Sequence, residues 1–263
     1  MFTSSLDPVL LQLGPLQIRW YGIIFLLGFI IAYFWLQHER KQGRLALSRD
    51  DISDLLFYLF VGVLVGSRFF AVFIWEPAYY FAHPGKILAV WEGGLAFHGG
   101  LIGAAIAAWL FSRKKNIPLA ALADTLTLPA VLGLAFGRIA NFINGELWGT
   151  VSNVAWCVNF PGVEGCRHPT QMYYALKRFI VFGILLLLAQ KSERKPGFLF
   201  WSMVALFGIG RFIIDFFKDD PIIGLLTMGQ YLSLGMLIVS SWMLLSRYRE
   251  EMAASLGIYT NKK

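Results

Sequence analysis

The chain has 263 residues, of which 57% are hydrophobic and only 15% charged, with a mean hydropathy of +0.60. Soluble domains carry about 25% charged residues, so this composition excludes an ordinary water-soluble enzyme and places the chain in a bilayer. The formal net charge of +7 does not imply nucleic acid, because the basic residues fall in short clusters between apolar runs, where membrane topology is encoded.

A helix needs about 20 apolar residues to cross a hydrocarbon core. Runs at 18–37, 53–75, 95–112, 119–143, 172–190, 197–217 and 229–246 therefore predict an all-α integral membrane protein with about seven transmembrane helices. The expected organisation is a single polytopic membrane domain over 1–263, with a small outer loop at 144–171. No basic stretch precedes the first run, whose first cation is Arg19, so that run reads as a retained span rather than a cleaved signal. The connections 38–52, 112–118 and 190–196 and the tail from 246 hold fourteen of the twenty-three Lys and Arg residues. Basic connections stay in the cytoplasm, which puts the N-terminus outside and the C-terminus inside.

On that topology the polar residues of the spans gather at the outer side. Tyr21 opens the first span, Arg68 lies late in the second and His98 begins the third, within WEGGLAFHGGLIG, 91–103. The five glycines of that segment predict some irregular backbone, which a membrane tolerates only where protein or a wet cavity surrounds it. It lacks the Gly-Lys-Ser/Thr ending of a phosphate-binding loop. The fourth span carries Asp124 near its start, read as a helix N-cap, and Gly133 and Gly137, spaced for close helix packing. It ends in GRIANFINGELWG, which supplies Arg138, Asn141, Asn144, Glu146 and Gly149. In the outer loop, Cys157 and Cys166 lie where oxidation is permitted; a local disulfide is one expectation, while their spacing with His168 matches no recognised metal-ligand pattern. The sixth span ends with Arg211, Asp215 and Lys218.

An arginine at mid-membrane costs about 2.5–3.5 kcal/mol on insertion scales. Each of Arg68, Arg138 and Arg211 can snorkel to the headgroups, or pair with a carboxylate as Arg211 can with Asp215 one turn on. Their convergence, with the planar guanidinium fork matched to phosphate oxygens, points to an anionic phospholipid headgroup. His98 can take a proton from a thiol or hydroxyl, or simply be hydrogen-bonded. Tyr21 fits an interfacial aromatic belt or a donor to a reacting lipid. Asn141 and Glu146 can orient Arg138 or cap the helix end.

GRIANFINGELWG closely resembles the signature of prolipoprotein diacylglyceryl transferases. DPVLLQLGPLQIRWYG, GGLAFHGGLIG, RHPTQMYY and GRFIIDFF are each similar to family segments, in the family's order, so that the resemblance covers nearly the whole chain. Phe207, Asp215 and Tyr174 depart from it, standing where Tyr, Glu and Glu are common. The resemblance implies transfer of the diacylglyceryl group of phosphatidylglycerol to the lipobox cysteine thiol of a preprolipoprotein signal peptide, forming a thioether and releasing glycerol phosphate. It implies a multi-pass protein of the bacterial cytoplasmic (inner) membrane, with the active site facing the outer leaflet. Its expected partners are those two substrates and membrane lipids, with no cofactor, metal or nucleic acid. By matching position, the important residues are Tyr21, His98, Arg138, Asn141, Glu146, Gly149 and Arg211. Arg138 and Arg211, with Arg68 as a further contact, would hold the phosphate, and His98 would assist formation of the thiolate, the nucleophilic form of cysteine. A transporter would instead continue its polar residues through the inner halves of the spans or show paired repeats, and neither is present. A purely structural anchor leaves the outer-side arginines and His98 unexplained. Another headgroup transferase remains open, because the thiol acceptor rests on the resemblance.

Overall fold

The structure, a computed structural model, describes residues 2–4, 6–14, 16–190 and 194–255. Lys191, Lys262 and Lys263, which belong to the basic connections, lie outside the described residues. The chain is mostly helical. Its long helices are α1 (Trp20–Lys41), α2 (Arg49–Phe70), α4 (Phe97–Lys115), α5 (Leu119–Ile143), α6 (Thr170–Gln190), α7 (Phe198–Ile214) and α8 (Met228–Arg247), with the shorter α3 (Pro77–Ala82) and α9 (Arg249–Ser255). A π-helical turn, Ala71–Trp75, prolongs α2, and a 3₁₀ turn, Asp215–Phe217, prolongs α7.

Among the described residues, six helices are long and apolar enough to cross a membrane: Trp20–Lys41, Arg49–Trp75, Leu119–Ile143, Thr170–Gln190, Phe198–Phe217 and Met228–Arg247. The remaining expected segment, the third at 95–112, does form a helix, α4, of 19 residues. It falls short on hydropathy because His98 and its glycines dilute one end and Arg113, Lys114 and Lys115 occupy the other. Large apolar side chains on the spans point outward, as Phe34, Phe57, Leu187, Ile238 and Trp242 do. The buried positions include Arg68, Thr170, Gln171, Arg178, Asp215, Gln230 and Ser233. An apolar exterior over a partly polar interior is what a lipid solvent selects, because polar groups must find partners within the protein.

Helix ends follow local chemistry. Ser48 and Asp51 form a reciprocal capping box at the start of α2, each side chain accepting the other's backbone N–H at 3.0 Å and satisfying donors a helix start leaves orphaned. Thr227 and Gln230 do the same for α8. The α4 helix stops at Asn116, in the left-handed region at φ +53°. Asp124 is not an N-cap: α5 begins at Leu119, so Asp124 lies inside the helix.

Two compact units make up the fold, Met1–Ala32 with Leu126–Lys263, and Tyr33–Thr125. In the second unit α2 and α4 meet backbone to backbone. A Cβ added at Gly66 would lie 2.9 Å from the Gly103 Cα, and one at Gly62 would lie 2.7 Å from the Ala107 Cβ. The glycines of 91–103 thus divide into two sets: Gly93 and Gly94 take positive φ in the irregular turn, whereas Gly99, Gly100 and Gly103 lie in regular helix and serve packing. In the first unit Gly133 faces Gly28 of α1, and Gly137 has open space. Three short two-stranded pieces also belong to this unit: β1 (Phe2–Thr3) parallel to β4 (Val158–Asn159), the hairpin β2 (Val9–Leu13) and β3 (Leu16–Arg19), and β5 (Ile222–Ile223) against β6 (Leu226–Thr227).

Candidate active site

The end of α5 builds a polar chain from consecutive turns. Arg138 and Asn141 are one turn apart and share a face, so Arg138 Nη1 donates to Asn141 Oδ1 at 3.4 Å. The Asn141 amide in turn donates to Glu146 Oε1 at 2.7 Å, and Asn144 adds a second donor to the same oxygen at 3.3 Å. Past the helix end, Leu147 takes φ +60°, which turns the chain so that the Gln171 amide reaches the Glu146 carbonyl at 2.6 Å and Thr170 Oγ1 reaches the Leu147 carbonyl at 2.9 Å. Tyr21, half exposed at the start of α1, is close enough to Glu146 and Arg138 for their charges to act on its hydroxyl.

Arg211 reaches the same neighbourhood from α7. Its Nε donates to Asp215 Oδ2 at 3.4 Å, one turn on, and it lies within electrostatic reach of Arg138. The Asp215 side chain is 1% exposed, and a buried carboxylate needs more than one partner. Tyr174 of α6 supplies it, donating its hydroxyl to Asp215 Oδ1. Gly229, in the first turn of α8, leaves the space in which Asp215 and Arg211 meet: a Cβ there would collide with the Asp215 carboxylate and lie 3.1 Å from Arg211 Nη2.

Tyr174, Lys177 and Arg178 lie on one face of α6, at i, i+3 and i+4. Three cations are seated on the Tyr174 ring: Arg138 Cζ at 4.7 Å, Lys177 Nζ at 5.2 Å and Arg178 Cζ at 5.8 Å from its centroid. The Phe207 ring takes Lys177 at 4.6 Å and Arg178 at 5.7 Å. Arg178 is 8% exposed; its Nη1 donates to the Leu134 carbonyl at 2.5 Å, while its Nε has no hydrogen-bond partner among the described residues.

The loop after α5 is tied down closely. Gly149 donates its N–H to the His168 carbonyl at 2.9 Å, and a side chain there would strike Phe217, Thr170 and His168. Arg167 stacks on Trp148 at 4.1 Å, pairs with Asp219 at 2.7 Å and donates to the Gly149 carbonyl. Cys157 and Cys166 form a disulfide, realising the local bridge expected from the sequence. The Trp156 indole N–H donates to Tyr173 Oη at 2.7 Å, and Tyr173 Oη lies 3.0 Å from His168 Nδ1. Since indole only donates, the tyrosine proton is free to point at Nδ1, which suits a neutral imidazole. Burial holds His168 below the ordinary histidine range.

In the other unit, the guanidinium of Arg68 is 8% exposed and already engaged. It donates to the backbone carbonyls of Lys86, Ile87, Ala89, Gly93 and Gly94 and stacks on Tyr80. Those contacts fix the 86–94 segment that leads into α4. His98, the second residue of α4, is exposed, with Phe70 and Phe97 beside its ring, and makes no hydrogen bond among the described residues. A depression of about 340 Å³ along 83–91 is lined by none of the candidate residues.

Of the residues singled out from the sequence, Tyr21, Arg138, Asn141, Glu146 and Arg211 gather in one unit, with Gly149 in the loop that follows; Arg68 and His98 belong to the other. Sequence reasoning left Lys177 and Arg178 without a role and counted Tyr174 only as a departure. The signal was there in their common face on a span, beside a carboxylate one turn past Arg211. Among the described residues no group of His, Cys, Asp and Glu side chains is arranged to hold a metal ion.

A family model described as prolipoprotein diacylglyceryl transferase matches residues 8–246. The phosphatidylglycerol–prolipoprotein diacylglyceryl transferase of Geobacter sulfurreducens is 42% identical over 240 residues, covering 89% of this chain and 92% of its own. Proteins of the same name from Nitrosomonas europaea and Tolumonas auensis are each 39% identical, over 252 and 259 residues, covering 92% and 95% of this chain and 90% and 99% of their own.

Proposed function

The chain belongs to the prolipoprotein diacylglyceryl transferase family, and from that premise we propose how its residues carry the reaction. It is a membrane-embedded transferase that moves the diacylglyceryl group of phosphatidylglycerol to prolipoproteins. The acceptor is the thiol of the lipobox cysteine, the product bond is a thioether, and glycerol phosphate leaves.

The observation that carries the site assignment is the meeting of Arg138 and Arg211, from two helices distant in sequence, beside Tyr174 and Asp215. Their guanidinium forks suit the oxygens of one phosphate. Held in place before the reaction, they stabilise the charge that grows on the leaving group, an effect that often outweighs every other in catalysis. Asp215 and Tyr174 orient Arg211; Asn141, braced by Glu146, orients Arg138. Tyr21 donates to the reacting lipid, and Gly149 keeps the backbone of the following loop close to the site. His98, an exposed imidazole with no competing hydrogen bond among the described residues, is the base that helps form the thiolate. Arg68, its donors taken by backbone carbonyls, contributes by fixing the segment ahead of His98, and direct contact with substrate would require it to release them.

We read the protein as a single polytopic domain of the bacterial inner membrane, with seven spans, N-terminus outside, C-terminus inside and the site toward the outer leaflet. The basic connections support this orientation. So does the Cys157–Cys166 disulfide in the 144–171 loop, because disulfides persist on the oxidising side. The boundaries between the compact units fall inside α1 and α5 rather than in a linker, which supports one domain.

The test is incubation of the purified protein with phosphatidylglycerol and a lipobox peptide, followed by mass spectrometry. A diacylglyceryl adduct on the peptide cysteine is expected, and its loss in Arg138→Ala. No adduct from folded protein would overturn the assignment.

A further inference from the structure

The cluster around Tyr174 holds more positive charge than two phosphate-binding arginines account for. Arg138, Lys177, Arg178 and Arg211 lie within electrostatic reach of one another, and Asp215 is the carboxylate that faces them, already paired with Arg211 and Tyr174. Among the described residues Glu146 is linked to Arg138 by hydrogen bonds through Asn141. Lys177 stands out within this group. Its stem packs on Gly210, where a Cβ would lie 2.7 Å from the Lys177 Cγ, so its course beside Arg211 is set by a residue that offers no side chain. Its ammonium ends over two aromatic rings and has neither a hydrogen bond nor an ion pair among the described residues. An ammonium carries three N–H donors. Ring faces attract the charge but leave those donors unspent. Arg178, whose Nε also has no hydrogen-bond partner among the described residues, is directed elsewhere by its bond to the Leu134 carbonyl.

We propose that Lys177 is a third cationic contact to the lipid phosphate, beside Arg138 and Arg211, and the one matched to the second negative charge that appears on that phosphate as the reaction proceeds. The inference rests on the transfer reaction given above. The donor phosphate is a diester with one negative charge. The thiolate forms a C–S bond to the glyceryl carbon that bears the phosphate, the C–O bond breaks, and its electron pair leaves on the phosphate oxygen. The product is a phosphate monoester with two negative charges; the thiol proton has already gone to the base. Two arginines, one of them partly neutralised by Asp215, suffice for the substrate monoanion. A third cation left without an acceptor in the resting protein gains its partner as the second charge develops. Such an interaction, stronger in the transition state than in the ground state, raises turnover rather than affinity for substrate. Lys177 is thereby assigned as a catalytic residue for leaving-group departure.

The experiment compares the full chain with Lys177→Met and Lys177→Arg, in detergent, in two readouts. In the first, a short-chain fluorescent phosphatidylglycerol is displaced at pH 8 by glycerol phosphate, a dianion, and by glycerophosphoglycerol, a monoanionic diester. Wild type and Lys177→Arg should favour the dianion by about tenfold or more, the scale of one charge-assisted hydrogen bond, and Lys177→Met should lose that preference. In the second, Lys177→Met should lower kcat by roughly 10²-fold with KM changed little, and Lys177→Arg should restore most of it. If Lys177→Met does not fold, Lys177→Gln carries the same comparison. A variant without the cation that keeps both the dianion preference and wild-type kcat overturns the proposal, as does a wild type that does not bind the probe. Failure of the wild type to form adduct would count against the transfer reaction, while the displacement series still decides whether Lys177 selects the dianion.

Discussion

Tyr174 donates its hydroxyl to Asp215, and that bond, more than the i,i+4 spacing of Arg211 and Asp215, gives the buried carboxylate a fixed direction. Removing the donor in Tyr174→Phe strands an acceptor in a site with a 1% exposed side chain. The expected cost is about 1–3 kcal/mol of stability, read as a lowered midpoint of thermal unfolding. A fall in kcat should accompany it, because Arg211 is no longer aimed. A variant with unchanged unfolding and turnover would remove Tyr174 from the orienting chain.

Arg138→Lys keeps the positive charge and loses the planar fork. Turnover should fall by roughly 10²-fold, the scale seen when one preorganised charge-stabilising donor is lost. Asn141→Ala, which leaves Arg138 in place but removes its brace and the link to Glu146, should fall less. Adduct formation measured for both by mass spectrometry checks the order; a milder Arg138→Lys would show that charge alone suffices.

The sites in α8 distinguish crowding from helix propensity. Gly229→Ala forces a methyl group into Asp215 and Arg211, whereas Gly235 has nothing within 4 Å. Overpacking costs about 1–3 kcal/mol, so Gly229→Ala should lower both the unfolding midpoint and turnover. Gly235→Ala should leave turnover unchanged and gain slightly in helix propensity. Equal behaviour of the two would argue against a filled space beneath the ion pair.

The sequence alone marked all seven long helices within a few residues, because apolar length and flanking charge are one-dimensional signals. It did not show the two- to five-residue strands, whose hydrogen bonds depend on chain segments meeting in space. Arg68 was legible as a costly intramembrane arginine. That its partners are five carbonyls of the 86–94 segment could not be read, since backbone acceptors leave no mark in a sequence. Lys177 and Arg178 were visible as cations in a span, but their part depends on which rings and helices surround them. Asp124 shows the converse error: an N-cap residue type near a span's start proved to be helix interior, because α5 begins five residues earlier.

The His168 imidazole gives a pH-dependent contribution with a defined sign. Burial lowers its pKa below the ordinary value of 6.5, so the unfolded chain takes up the proton first as pH falls. Stability should therefore drop as pH falls through about 6.5 and level off once the folded form also protonates. Unfolding midpoints at pH 5.5 and 7.5 should differ more for the wild type than for His168→Gln. An identical difference in the two would assign the slope to other groups.

The seam between α2 and α4 has a mechanical consequence. Where Gly62 and Gly66 meet Gly99 and Gly103 the backbones themselves are in contact, and the Val63, Ser67, Phe70 and Ala107 side chains pack into the space the glycines leave, so the joint has little slack. The two helices behave as one stiff beam, with His98 mounted near its end. A movement of either helix therefore carries the other with it, and the imidazole keeps its bearing on α2.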